Sequence, residues 1–147
     1  MNEVIIKSAD TAAQLVLSDI EGDYFTATYK SHDIFVSRRV WGYTDCNLLV
    51  DLFSYMAKEL KGWDGEINWA SIEQELPITC TSDQKGHIAV KLKLSKYEDA
   101  EPWEAQVVLN LESGVMEKHQ KMLKHFPMSE WLLTSGSSRS LRSLGTG

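Results

Sequence analysis

Long stretches in which apolar and polar residues alternate constrain the fold of this chain more than any other feature. Apolar residues occupy every second position in 88–94, and again along most of 103–111. Successive side chains of a β-strand point to opposite faces, so these stretches predict strands with one buried and one wet face. A turn at 82–86, with Asp83 and Gly86, separates the first of them from another alternating segment at 76–80. The region therefore predicts a hairpin followed by a third strand.

Shorter strand signals and two helical segments complete the pattern. Segments 3–7, 13–18, 24–30 and 34–41 are rich in β-branched and aromatic residues, and turn residues separate them. Apolar residues then recur at spacings of three and four in 45–61 and in 113–126, which indicates amphipathic helices. Gly62 and Pro127 end these helices, and Ser113 is the expected cap of the second.

This order of elements predicts an α+β fold: an antiparallel β-sheet of about six or seven strands, with two helices packed on one face. Residues 1–127 form a single domain in this interpretation, and 128–147 form a loosely held Ser/Gly-rich C-terminal tail. The buried face of the sheet is expected to contain Ile88, Val90, Leu92, Leu94, Trp103, Val107 and Leu109. The first helix is expected to cover it with Leu49, Val50, Phe53, Ala57 and Leu60.

The charge balance favours some partners over others. The net charge is −6, and residues 1–134 carry −8 because both arginines of the tail lie beyond them. A domain this acidic should repel nucleic acid and anionic membranes, and it suits a basic protein partner. Mild acidity is also common in cytosolic proteins, where it serves solubility.

Other features of the sequence favour a cytoplasmic location. The sequence shows no signal-peptide pattern and no apolar run of the roughly 20 residues that a membrane helix requires. Cys46 and Cys80 fall on apolar faces outside any CxxC spacing. Buried free thiols in a reducing cytoplasm are therefore expected.

Motifs that carry chemistry are absent from the sequence. It contains no phosphate loop, no dinucleotide fingerprint, no nucleophile elbow and no calcium loop. The four histidines have no metal-ligand spacing, and His119 is expected to lie in or beside the core. We therefore predict no catalytic residues, no metal and no cofactor.

Carboxylates do cluster in two predicted turns. Asp19, Glu21 and Asp23 form one cluster, and Glu98, Asp99 and Glu101 form the other. Solvated turns explain such crowding, because water screens the repulsion. The functional alternative is an acidic docking surface that steers a basic partner. These six residues are the candidate partner-binding residues.

Several short turn and packing signatures resemble those of a bacterial family of uncharacterised domains and, more distantly, the WapI-type immunity proteins. The signatures are Gly62-Trp63-Asp64-Gly65, Trp69-Ala70-Ser71-Ile72-Glu73, Asp83-Gln84-Lys85-Gly86-His87-Ile88, Trp103, and Leu109-Asn110-Leu111-Glu112-Ser113-Gly114. The resemblance covers about residues 3–126. It implies a cytosolic protein encoded beside a toxin, which neutralises that toxin by tight binding, and it carries over no catalytic residues.

Three functions remain open on the sequence. The first is an immunity or inhibitor protein for a basic toxin, which the resemblance and the acidity favour. The second is an enzyme with an unrecognised carboxylate site, for which only the acidic clusters speak. The third is an adaptor or self-associating module that uses 128–147 as a peptide ligand. The oligomeric state is not defined by the sequence.

Overall fold

The computed structural model describes residues 3–42, 45–71 and 73–125. Within these ranges the chain forms eight strands, two α-helices and one 3-10 turn. The strands are β1 (Val4–Lys7), β2 (Gln14–Glu21), β3 (Tyr24–Lys30), β4 (Phe35–Trp41), β5 (Glu66–Trp69), β6 (Ile78–Ser82), β7 (His87–Lys96) and β8 (Trp103–Glu112). The helices are α1 (Asp45–Lys58) and α2 (Met116–His125), and the 3-10 turn (Ser113–Val115) directly precedes α2.

The strands form two antiparallel sheets of four strands each, in the orders β1-β2-β3-β4 and β5-β6-β7-β8. The α+β class and the antiparallel pairing are confirmed, but the predicted single sheet of six or seven strands is wrong. Alternation within a strand specifies which face is buried, whereas it does not specify the neighbouring strand. Helix α1 separates β4 from β5 along the chain, and a new sheet begins after it.

Both sheets and both helices contribute to one hydrophobic core. The first sheet buries Phe25 and Val40, the second buries Leu92 and Leu109, and α1 adds Phe53. All the predicted face residues of β7 and β8 are buried, except that Trp103 is only partly buried. Cys80 is a buried free thiol, as predicted, and burial raises its pKa to about 12. The side chain of Cys46 lies outside the described part of the structure.

Helix α1 ends three residues earlier than the periodicity predicts. Its last residue is Lys58, and the N–H of Gly62 donates to the carbonyl of Glu59 at 2.9 Å. Leu60 therefore follows the helix and is 60% exposed, so its assignment to the buried face is wrong. Leu49 and Phe53 are buried, while Val50 and Ala57 pack partly buried against the core, as predicted.

The second helix also begins differently from its prediction. Ser113 is a buried residue of the 3-10 turn, and its N–H donates to the carbonyl of Gly86 at 2.9 Å. It therefore joins the end of β8 to the β6–β7 turn and does not cap α2. His119 is buried on α2, as predicted. The predicted tail at 128–147 lies outside the described residues.

Strand β5 has no counterpart among the predicted strands. Its four residues pair with β6, with Trp69 opposite Ile78, and four residues are too few to show a clear alternation. Pro77 lies just before β6, as expected for a strand start. Neither of the two described helices is long and apolar enough to span a bilayer.

Candidate functional site

The first predicted carboxylate cluster lies at the β2–β3 hairpin. Asp19 and Glu21 belong to β2, and only Asp23 lies in the two-residue turn, which Gly22 opens with φ 62°. Asp19 has φ 52° where the register between β2 and β3 shifts, which identifies a β-bulge. The prediction that all three residues share one turn is therefore wrong for Asp19 and Glu21. All three side chains are exposed.

Arg39 of β4 holds this hairpin from the neighbouring strand. Its Nη1 donates to the backbone carbonyl of Asp19 at 2.5 Å and to Oγ1 of Thr26 at 2.9 Å. Its Nη2 lies 3.5 Å from Oε1 of Glu21, and its guanidinium lies 5.9 Å from the ring centre of Tyr24. The Glu21 side chain is 89% exposed, so water weakens the ion pair. The carbonyl bond is therefore the contact that fixes the bulge.

The second predicted cluster lies in the connection between β7 and β8. Oε2 of Glu98 accepts a hydrogen bond from Nη2 of Arg38 at 3.0 Å, and Oδ1 of Asp99 lies 3.4 Å from Nζ of Lys96. The pKa of Glu98 is lowered, chiefly because its own backbone N–H donates to the carboxylate, with help from the charges of Arg38 and Lys96. Glu101 is exposed and makes no ion pair within the described part of the chain.

Arg38 ties this connection to β4. Its side chain is only 13% exposed. Its Nε donates to the carbonyl of Ser95 at 2.6 Å, and its Nη1 donates to the carbonyl of Arg39 at 2.9 Å. A charged group at such a depth needs these partners, because an unpaired buried charge is strongly unfavourable. Arg38 thereby joins the edge of the first sheet to the end of β7 in the second.

Consecutive arginines of one strand therefore reach both carboxylate clusters. Arg38 and Arg39 point to opposite faces of β4, as neighbours in a strand must, and one bonds to Glu98 while the other reaches Glu21. Sequence reasoning missed both arginines. The available signal was a pair of adjacent charges inside a predicted strand, where at least one must face the interior side of the sheet.

The six candidate residues differ in how accessible their charge is. Glu21, Glu98 and Asp99 have cationic partners, whereas Asp19, Asp23 and Glu101 have no ion pair among the described residues. To pair with Glu21, Glu98 or Asp99, a cationic partner would have to displace the lysine or arginine already bound there, or share the carboxylate with it. Oδ2 of Asp19 accepts a hydrogen bond from Oγ of Ser18 at 3.4 Å, so Asp23 and Glu101, one at each cluster, are the carboxylates most open to a partner.

A shallow depression of about 390 Å³ lies between the β1–β2 loop and the second sheet, with Asp10, Asp83, His87 and Asn110 among its lining residues. Nδ1 of His87 lies 2.7 Å from Oδ2 of Asp83. Oδ1 of Asp83 also accepts from the backbone N–H groups of Lys85 and His87. Asp83 therefore shapes the β6–β7 turn while it orients the imidazole.

This pair shifts both pKa values. The backbone N–H of Lys85 is the main cause of the lowered pKa of Asp83, and the hydrogen bond and charge of Asp83 raise the pKa of His87 above 6.5. A raised histidine pKa favours folding below pH 6.5, and that contribution disappears as the pH rises through the folded-state pKa. Chemically, the arrangement is an exposed imidazole whose protonated form is favoured by the neighbouring carboxylate.

We predict that Asp83→Asn lowers the pKa of His87 towards the ordinary histidine value. The substitution removes the carboxylate whose hydrogen bond is the largest cause of the raised His87 pKa, together with the negative charge that also favours imidazolium. An NMR titration of the imidazole C–H signals measures it. Asp99→Asn, which removes a carboxylate remote from this turn, serves as the control. An unchanged His87 titration in Asp83→Asn would contradict the assigned pairing.

His119 is a buried polar group of a different kind. The residue is only 6% exposed, and neither ring nitrogen has a hydrogen-bond partner among the described residues. Burial is the main cause of its lowered pKa, and the nearby charge of Lys118 adds to it. Its neutral form is therefore favoured in the fold. The resulting stability is present above pH 6.5 and is lost as the pH falls through the lowered pKa.

We expect His119→Leu to raise the free energy of unfolding at pH 7 by about 1 kcal/mol, because leucine removes two unpaired polar atoms from the interior. It should also reduce the loss of stability between pH 7 and pH 5, since no buried imidazole then has to be protonated. Urea unfolding at several pH values measures both effects. A less stable variant with the same acid sensitivity as the parent would show that the imidazole makes a contact that stabilises the fold.

A buried carboxylate lies at the C-terminal end of β4. Glu75 is 4% exposed, and its two oxygens accept from the hydroxyl of Ser71 and from the backbone N–H of Trp41, the latter at 3.1 Å. These bonds hold Ser71 and Glu75 against the end of the strand. The described residues contain no group of three or more His, Cys, Asp or Glu side chains that could hold a metal ion.

The fold and its surface define an acidic α+β domain of two four-stranded sheets, with carboxylate clusters held beside one edge strand. Residues 6–130 match a family of unknown function (DUF6228), and the chain belongs to this family. It matches no curated protein and no solved structure. The predicted kinship with an uncharacterised family is thus confirmed, whereas the resemblance to WapI-type immunity proteins stays a prediction.

Proposed function

We propose that this chain is a non-enzymatic immunity protein, which binds and neutralises a basic bacterial toxin in the cytoplasm. The observation that carries the proposal is the placement of two exposed carboxylate clusters on either side of β4, each tied to it by one arginine. Because an arginine of β4 holds one carboxylate of each cluster, that part of the charge pattern is fixed and needs little ordering on binding. The resemblance of the sequence to WapI-type immunity proteins supplies the class of partner.

The charge of the domain supports the same class of partner. Residues 1–134 carry −8, and the carboxylates of both clusters are exposed. Toxins that act on nucleic acids are commonly basic, because they must approach phosphate. An acidic inhibitor complements such a surface and accelerates the encounter.

Co-expression tests this function directly. The toxin gene beside the gene of this chain would be induced in bacterial cells with and without the chain. Survival should be restored when the chain is present, because a bound toxin cannot reach its target. Continued killing, with both proteins shown to be soluble and abundant, would contradict the proposal.

The contribution of the two clusters can be measured by charge neutralisation. We expect Asp19→Asn/Glu21→Gln/Asp23→Asn, or Glu98→Gln/Asp99→Asn/Glu101→Gln, to slow association with the toxin by roughly tenfold at low salt. Dissociation should change little, because exposed charges at the rim of an interface act mainly on the encounter. Stopped-flow association rates at low and moderate salt measure the effect, which should shrink as salt rises.

A matched triple variant controls for net charge. Asp51, Glu59 and Glu117 are exposed carboxylates away from both clusters, so their neutralisation removes the same charge from a different surface. Equal slowing by the control and by both cluster variants would show that total charge, and neither cluster, governs the encounter. The docking surface would then lie elsewhere on the domain, with residues 63–73 as the next segment to test.

A further inference from the structure

The outer edge of β8 presents a row of backbone groups beside which none of the described strands lies. Among the described strands, β8 pairs with β7 alone, in a regular register from His87 opposite Glu112 to Lys96 opposite Trp103. The N–H of Ser113 donates to the carbonyl of Gly86, which sets the alternation of an antiparallel pair. Val107 and Leu109 then bond to β7, while the residues between them direct their backbone groups away from it.

Another contact confirms this direction. The carbonyl of Asn110 accepts from the N–H of Ala9 at 2.7 Å, from the side opposite β7. The outward residues before it are Glu104, Gln106 and Val108, and all three are exposed. Their backbone N–H and C=O groups make no hydrogen bond within the described part of the chain. Five residues, 104–108, thus form a straight free edge without proline or bulge.

The other three sheet edges are better protected. Strands β1 and β5 have four residues each, and they contact α2 and α1, respectively. The edge of β4 is closed at its end, because Arg38 donates to the carbonyl of Arg39 and the N–H of Trp41 donates to Glu75. Exposed edges are normally shortened, bulged or covered, because they pair readily with another chain. Among the described strands, β8 offers the longest edge without such protection.

The charges around this edge select the partner. The carboxylate cluster of Glu98, Asp99 and Glu101 lies directly before β8, and Asp10 and Glu112 lie near the far end. Of the cations on neighbouring β7, Lys96 lies 3.4 Å from Asp99, Lys93 lies 3.7 Å from Glu104, and Lys91 stands opposite Val108. At the far end, Lys7 and Lys118 line the same depression as Glu112. Carboxylates therefore outnumber the cations at the start of β8, and Val108, which is 45% exposed, gives the middle of the edge an apolar contact.

We propose that the toxin docks by adding an extended basic segment to β8 as a fifth strand of the second sheet. This inference rests on the proposed function and names its interface. Apolar and basic residues would alternate along the segment. The apolar side chains would point to the core side, beside Val107 and Leu109, and the Lys or Arg side chains would point to the outer face. Main-chain hydrogen bonds would supply affinity, and the carboxylates at the start of β8 would select cationic side chains.

Two substitutions on β8 test the docking edge with the toxin domain encoded beside this chain as the probe. Gln106→Pro removes an outward N–H without breaking a bond to β7. It should weaken binding roughly tenfold or more, because the toxin segment loses one main-chain hydrogen bond and meets the proline ring at the edge. Val108→Lys adds a cation where the partner is cationic and should also weaken binding. Ser37→Pro, at an outward position of β4, is the matched proline variant and should bind as tightly as the parent. Val108→Glu loses the same apolar side chain as Val108→Lys but adds the opposite charge, so it should bind more tightly than Val108→Lys.

The outcomes separate this inference from the proposed function. Equal affinity of all four variants and the parent would overturn the β8 interface and leave the immunity function intact. Loss with Ser37→Pro alone would move the interface to β4 and overturn the inference as well. A parent chain that does not bind the toxin at all would overturn both. Circular dichroism on each variant shows whether the fold is retained.

Amide hydrogen exchange of the free full-length chain gives an independent measurement. The outward amides of Glu104, Gln106 and Val108 should exchange much faster than those of Val107 and Leu109, and they should become protected when the toxin is added. Protection already present in the dilute free chain would overturn the inference, because another part of the chain would then cover the edge. If that protection disappeared on deletion of 128–147, the chain's own last residues would be the occupant.

Discussion

Phe53→Ala is expected to lower the free energy of unfolding by about 3–5 kcal/mol, which is a large share of the stability of a domain this size. Phe53 is 2% exposed and lies on α1 in the core that both sheets share. Alanine there loses the transfer energy of the ring and leaves a cavity that the two sheets cannot fully close. Urea unfolding monitored by tryptophan fluorescence measures the change.

Leu48→Ala on the same helix is the control for this prediction. Leu48 is 55% exposed, so its truncation removes little buried surface and should change stability by less than about 0.5 kcal/mol. Similar losses for both variants would mean that the buried face of α1 is wrongly assigned. A loss well below 1 kcal/mol for Phe53→Ala would have the same meaning.

Gly62→Ala should be more damaging than the same substitution at Gly22, Gly65, Gly86 or Gly114. Gly62 has φ 90°, and a Cβ atom there would lie 2.2 Å from Oγ of Ser82 and 3.0 Å from the backbone Cα of Gln84. The left-handed backbone costs an alanine about 1–2 kcal/mol, and the clash adds about 1–3 kcal/mol. The loop after α1 must then move away from the β6–β7 turn.

Gly65→Ala isolates the backbone contribution. Gly65 has φ 74°, and nothing lies within 4 Å of a Cβ added to it. The difference in unfolding free energy between the two variants therefore reports the clash alone. Equal losses for both would show that the loop at Gly62 moves away freely, and that its contact with Ser82 and Gln84 has no structural weight.

Local pattern was enough to predict most of the secondary structure and much of the core. The alternation along β7 and β8 gave the buried residues of both strands, since a strand with one wet face leaves a clear period of two. The helical period likewise identified Leu49 and Phe53. The local pattern failed where a turn ended an element early, as at Leu60, and where an element was short, as for β5.

Long-range pairing could not be predicted in the same way. The division into two sheets depends on which strand edges meet, and the free edge of β8 depends on what does not cover it. The ties from Arg38 to Ser95 and Glu98 join residues 57 and 60 positions apart. Composition suggested the acidic surface, but the ion pairs that occupy Glu21, Glu98 and Asp99 could be seen only once β4 was placed beside them.

The central proposal is that this domain neutralises a basic toxin by binding it. Calorimetric titration of the purified chain with the toxin domain that we propose to be encoded beside it tests that proposal most directly. Our account predicts a saturable complex that inhibits the toxin, with an affinity that weakens as salt rises because exposed carboxylates contribute to docking. No heat of binding and no loss of toxin activity at micromolar concentrations of a folded chain would contradict it.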